Sequence, residues 1–167
     1  MRLVVSNCII LSLVDGEKGR GVKDTSGRGD LTELEVMMAL ARAGKKLLRP
    51  LSSASRYDLL IENDDSTFTR VQCKTGRLRS GRVEFGMYSV SGHDTRARRY
   101  KGQVDAFGVH CPQNGETYLV PIEALPPEGT LGLLRVAPAK NGQHRRVRSA
   151  EPFRVHPSKS SLGSTFR

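Results

Sequence analysis

Two short runs, Arg56-Tyr57-Asp58-Leu59-Leu60 and Arg70-Val71-Gln72-Cys73-Lys74, do most to restrict what this chain can fold into, because a turn separates them. That turn is Asn63-Asp64-Asp65-Ser66, whose short polar side chains bond to nearby main-chain groups and favour turn backbones. The two runs are therefore expected to pair as a β-hairpin. Side chains alternate across a strand, so Gln72 and Lys74 share one face while Val71 and Cys73 turn the other way into apolar packing. Asp58 falls on the neighbouring strand. One carboxylate, one amide and one amine then meet at a common edge, a trio able to hold a metal ion beside a phosphate.

The 167 residues suffice for one hydrophobic core with length left over. We expect a flexible extension over residues 1–27, with Gly16 to Gly29 rich in Gly, Lys and Arg, a domain over 28–136, and a basic, disordered tail over 137–167. Within the domain a helix comes first, capped by Asp30 or Thr32, with Glu33 and Glu35 in its first turns and Gly44 closing it. Leu34, Met37, Met38, Leu40 and Ala41 are its expected buried stripe. Strands follow over 47–51, 57–62, 67–74 and 82–89, then a polar, mobile link over 90–101. Residues 104–111 and 117–121 form a last pair around Pro112-Gln113-Asn114-Gly115, and 122–125 a helical turn. Helix and strands together make an α/β domain.

Charge narrows the class of partner. The formal charge is +10, and from Arg70 to Lys101 nine basic residues face only Glu84 and Asp94. Arg70, Arg77, Arg79, Arg82, Arg96, Arg98, Arg99 and Lys101 are expected to contact a polyanion backbone beside the hairpin. With no Trp and 5% aromatic residues the chain has little with which to stack unpaired bases, so double-stranded DNA is favoured. Cys8, Cys73 and Cys111 are odd in number and far apart, which reads as reduced thiols in a cytoplasmic protein. The four histidines lack paired ligand spacing, and no zinc is assigned. Leu3 to Val14 is apolar but too short to span a bilayer, so no membrane association is expected.

A helix followed by strands bearing Asp58 and Gln72-Cys73-Lys74 resembles the PD-(D/E)XK nuclease superfamily, and within it the group I intron-type homing endonuclease branch. The resemblance runs through Gly29-Asp30-Leu31-Thr32-Glu33, Pro50, Arg56-Tyr57-Asp58-Leu59 and Arg70-Val71-Gln72-Cys73-Lys74-Thr75. It continues through Arg99-Tyr100-Lys101-Gly102-Gln103-Val104-Asp105-Ala106-Phe107 to Tyr118-Leu119-Val120-Pro121. It implies a restriction-endonuclease-like core, a mixed β-sheet flanked by helices, and metal-dependent hydrolysis of DNA phosphodiesters. The family's Asp corresponds to Asp58, its second acidic position to Gln72, its Lys to Lys74 and its helical glutamate to Glu33, with Glu35 second. Gln72 departs from the usual carboxylate, although the intron-endonuclease branch tolerates glutamine there.

The chemistry of these groups agrees with that expectation. Magnesium, with manganese as an alternative, takes carboxylate, carbonyl and water oxygens. Asp58 supplies charge, the Gln72 side chain a neutral oxygen, and the Cys73 backbone carbonyl lies between them. Lys74 can stabilise charge developing on a phosphate or orient the attacking water. A catalytically inactive DNA-binding module on the same fold is the alternative, and Gln72 is its warrant. A third reading makes the chain an RNA-binding or scaffold protein that uses only its basic tail. Cutting two strands calls for paired active sites, so a homodimer or higher homo-oligomer is expected.

Overall fold

The computed structural model describes residues 25–52, 54–91, 94–100, 102–138 and 147–158, without the side chains of 25, 26, 90, 91 and 94–98. Helix α1 (Thr25–Arg42) leads. It begins before Asp30 and Thr32, so neither residue caps it and Glu33 and Glu35 lie beyond its first turn. Thr32 is instead buried, its Oγ1 donating to the Arg28 carbonyl at 3.0 Å and lying 2.6 Å from Thr75 Oγ1. The buried stripe is Thr32, Val36 and Leu40 at a spacing of four, with Met37 partly covered, whereas Leu34 and Met38 are exposed. Of the expected stripe Leu40 is buried and Met37 partly so, while Ala41 is exposed with Leu34 and Met38, because packing on the sheet turns Thr32 and Val36 inward instead. Gly44 does end the helix at φ +76°, with its N–H donating to the Ala41 carbonyl at 2.9 Å.

A five-stranded mixed sheet in the order β1-β2-β3-β8-β9 forms the middle of the molecule. Its strands are β1 (Lys46–Leu48), β2 (Leu59–Glu62), β3 (Phe68–Thr75), β8 (Ala106–Cys111) and β9 (Glu116–Pro121). Between β3 and β8 in the chain come β4 (Arg77–Arg79), β5 (Arg82–Gly86), β6 (Tyr88–Ser91) and β7 (Asp94–Arg99). The hairpin expected from the sequence is present as antiparallel β2 and β3, with Leu59 opposite Val71 and Leu60 opposite Arg70. Its turn is closed by the Asn63 N–H to the Thr67 carbonyl at 2.9 Å, and Asp65 Oδ1 accepts from the Thr67 N–H. Strand β8 runs parallel to β3, placing Gln72 beside Phe107 and Lys74 beside Val109. All six β8 residues are buried because both faces are covered.

One face of this sheet takes α1, with Val36 and Leu40 on Leu59, Ile61, Val71 and Cys73. The other face takes a second sheet in the order β11-β10-β5-β4, with β10 at Leu131–Arg135 and β11 at Arg148–Ser149. Val83, Phe85 and Leu134 of that sheet pack against Phe107, Val109, Cys111, Tyr118 and Val120. The mixed sheet is therefore flanked by a helix on one side and, among the described residues, by strands on the other. Where a polar, mobile link is expected over 90–101, the described residues of β6 and β7 pair antiparallel, Ser89 opposite Arg98 and Ser91 opposite Asp94.

The segment expected to be an unstructured tail also differs. Residues 147–158 supply β11, buried Val147 and Ala150, and a 3-10 turn over Glu151–Phe153. Arg154 bridges to Tyr118 across the β9 edge and ion-pairs with Glu116. Pro, Ser and Arg dominate that stretch, which hid its few apolar anchors. The apolar segment Leu3–Val14, Cys8 and the side chains of Arg96, Arg98 and Lys101 lie outside the described residues. No described helix is long and apolar enough to cross a membrane.

Candidate active site

Asp58 sits immediately before β2, and its backbone N–H donates to the Val71 carbonyl at 2.9 Å, which locks it to β3. Its Oδ2 accepts the Cys73 backbone N–H at 2.7 Å and the Gln72 side-chain amide at 2.5 Å. Burial pushes the Asp58 carboxyl above its ordinary value, against the lowering effects of that Cys73 N–H and of the Lys74 charge. A half-buried carboxylate with cationic and amide neighbours is therefore held where its charge is costly. Such groups collect at functional sites.

Lys74 lies on the same face of β3 as Gln72, as the strand alternation requires. Its Nζ donates to Tyr100 Oη at 3.0 Å and to the Tyr88 carbonyl at 3.3 Å. The Tyr100 ring, itself buried and edge-on to Phe107, is flanked by two cations: Lys74 Nζ at 4.7 Å and Arg56 Cζ at 4.6 Å from its centroid. Arg56 is tied in turn, Nε donating to Gln103 Oε1 at 2.7 Å and Nη1 to Ser89 Oγ at 2.8 Å. The amine thus has a fixed address, set by Tyr100 and by the β6 backbone. Sequence reasoning left Arg56 and Tyr100 out of the site, although both stand in the stretches that carry the family resemblance. Their role is invisible without knowing that residue 100 returns to residue 74.

Glu33, on α1, ion-pairs with Arg49 at 3.1 Å. Its carboxyl is pushed up by burial first and by the Asp58 charge second, while Arg49 pulls it down. Glu33 therefore lies within electrostatic reach of Asp58. A carboxyl whose proton affinity is raised by a neighbouring carboxylate stands where a cation would relieve the charge. Burial pushes the Cys73 thiol up, further opposed to ionisation by Asp58 and Glu33, so this sulfur is not a nucleophile and only its backbone faces the site chemistry. Among the described residues no three His, Cys, Asp or Glu side chains cluster as a metal site.

The basic residues expected to meet a polyanion divide. Arg70 is committed internally: its guanidinium clamps Asp105 at 2.7 and 3.0 Å and reaches the Gly102 carbonyl at 3.2 Å. Arg99 holds Glu128 at 3.0 Å and the Pro127 carbonyl at 3.1 Å. Both are structural ties. Arg77 and Arg79 are exposed on β4, and Arg82 is half-buried on β5.

The comparisons with known proteins bear on the fold and on the family. The structure of a bacterial homing endonuclease, I-Ssp6803I, superimposes with a TM-score of 0.58 at 16% identity, covering 78% of this chain and 88% of that one. At that identity the likeness concerns the fold. No curated protein matches the sequence. A family model described as PD-(D/E)XK endonuclease matches residues 23–156, from the start of α1 through Asp58 and the strand that carries Gln72 and Lys74 to the 3-10 turn beyond β11. With most of its length matched, the chain belongs to the PD-(D/E)XK endonuclease family.

Proposed function

We propose that this protein is a metal-dependent endonuclease that hydrolyses phosphodiester bonds of double-stranded DNA, with Asp58, Gln72, Lys74 and Glu33 as its active-site residues. The observation that carries the proposal is the convergence of Asp58 Oδ2 with the Gln72 amide and the Cys73 N–H, on the strand that also presents Lys74. PD-(D/E)XK nucleases in general use divalent metal ions. The donors fit a hard cation: the Asp58 and Glu33 carboxylates, the Gln72 side-chain oxygen and the Cys73 carbonyl are all oxygens, which suits magnesium or manganese. Bound there, such an ion would polarise a phosphoryl oxygen and lower the pKa of a water.

The protein's own groups do the rest. Tyr100 and the Tyr88 carbonyl hold the Lys74 amine in place, so its charge is pre-oriented toward a phosphate rather than recruited from solvent. Asp58, already desolvated, gains most from a cation's arrival. With an amide in the second acidic position the free site is less negative, so metal affinity is weak until a DNA phosphate joins the donors. A cytoplasmic setting and a homo-oligomer with paired sites complete the reading.

An inactive DNA-binding module is the second reading, and one observation favours it. The Gln72 amide closes on Asp58 and satisfies the carboxylate by a hydrogen bond, where a metal would otherwise be needed. Incubating the protein with supercoiled plasmid and magnesium, beside Asp58→Ala and Lys74→Ala, separates the two. Nicking or linearisation by the wild type alone, with at least a hundredfold loss in each variant, is the expected result. Cleavage that persists in both variants would sink the active-site assignment, and a wild type that binds DNA but never cuts would favour the inactive module.

A further inference from the structure

The second sheet carries a row of arginines that the fold leaves unbalanced. In its strand register Arg79 stands opposite Arg82, Arg82 opposite Arg135, and Arg135 opposite Ser149. Directly paired residues project on the same face, with strands about 4.8 Å apart. Three guanidinium groups therefore form a ladder across β4, β5 and β10. The alternate residues Val83 and Leu134 are fully buried in the core, which sets the ladder on the outer face of the sheet.

Like charges placed directly opposite each other destabilise a sheet. Among the described residues none of these three side chains makes an ion pair or hydrogen bond, and Arg82 Nε and Arg135 Nη1 are buried without a partner. An unsatisfied buried N–H is itself unfavourable. Glu84, the acidic residue of this face in β4, β5 and β10, belongs to the neighbouring row opposite Arg77. Elsewhere the chain supplies carboxylates where it needs them, as at Arg70–Asp105, Arg99–Glu128 and Arg154–Glu116. The ladder sets three guanidinium groups in register with, among the described residues, no carboxylate bonded to them.

We propose that the outer face of the second sheet is a clamp for the phosphate backbone of duplex DNA, in which Arg79, Arg82 and Arg135 neutralise successive phosphates. The inference rests on DNA being the substrate of the neighbouring site, and it adds Arg135, which lies far along the chain from the basic stretch read in the sequence. Charge complementarity selects the partner. The face carries no aromatic side chain on which unpaired bases could stack, so it suits a duplex backbone rather than a single strand. Gly76 couples clamp to site. It is the joint between β3 and β4, and a Cβ there would come within 2.7 Å of Val83 and 3.1 Å of Val109, so the chain passes from Lys74 to Arg77 with little freedom.

The test is duplex binding without metal, measured across a salt series for the wild type, Arg79→Gln, Arg135→Gln and, as a control, Arg154→Gln. Each ladder variant should weaken binding about threefold to tenfold and reduce the slope of log K against log salt by about 1. The thermal midpoint of the free protein should hold or rise, because a repulsive neighbour has been removed. Arg154→Gln, which breaks an internal ion pair, should leave the slope unchanged. Unchanged slopes in both ladder variants, or falling midpoints with binding intact, would overturn the clamp in favour of a structural ladder, as would equal affinity for single strands. Tighter binding of duplex RNA than of duplex DNA would overturn the choice of partner. A protein whose binding follows the ladder but which never cuts DNA loses only its nuclease assignment. One that cuts while its binding ignores the ladder loses only the clamp.

Discussion

At the scale of single residues, Asp58 shows how this site trades stability for readiness. Its carboxyl is raised above the ordinary value mainly by burial, and Glu33 shifts the same way. A carboxyl whose folded value lies above its unfolded one favours the fold while protonated, below the unfolded value near 3.8, and that contribution is lost as pH rises through the folded value. At neutral pH the ionised Asp58 therefore weakens the fold. Asn in its place can still accept the Cys73 N–H, so Asp58→Asn should raise the thermal midpoint by a few degrees at pH 7. The advantage should shrink as the pH falls from 7 and vanish below the unfolded value near 3.8, where the carboxyl is protonated in both states. Thermal scans of both proteins across that range check it, and a midpoint difference independent of pH would remove burial of charge as the cause.

At the scale of elements, the site depends on how closely α1 lies against the central sheet. Gly108 on β8 makes the approach feasible: a Cβ there would come within 2.6 Å of Val36 Cγ1 and 3.1 Å of Val71 Cγ1. Both neighbours are β-branched and stiff, so neither can turn away without strain. Gly108→Ala should cost about 1–3 kcal/mol by overpacking. Because the displaced helix carries Glu33, cleavage should fall along with stability. Chemical denaturation and the plasmid assay report the two effects, and an unchanged denaturation midpoint would mean that the helix seat is looser than its contacts indicate. Gly132 plays a similar part on β10, where a Cβ would meet the Phe85 ring at 2.2 Å.

At the scale of the whole molecule, charge and core do not divide along the chain as composition suggests. The stretch from residue 137 reads as a basic tail, yet 147–158 add a strand, buried Val147 and Ala150, and the Arg154 tie to β9. A protein ending at residue 136 should therefore lose about 3 kcal/mol or more of stability from apolar burial alone. Denaturant titration of that truncation measures the loss, and an unaltered midpoint would return these residues to the status of an appendage. By itself the sequence determined the local pieces: the β2–β3 hairpin with its turn, the sharing of a face by Gln72 and Lys74, the Gly44 helix end and the family. Each follows from alternation, turn chemistry or motif, which act between residues near in the chain. Tertiary structure alone decided which face of α1 is buried, that Tyr100 and the Tyr88 carbonyl fix the Lys74 amine, that Arg70 belongs to Asp105, and that Arg135 joins Arg82. The pairings of Tyr100 with Lys74, Asp105 with Arg70 and Arg135 with Arg82 span 26, 35 and 53 residues. No local periodicity encodes them, because sheet order and register, not spacing along the chain, bring such partners together.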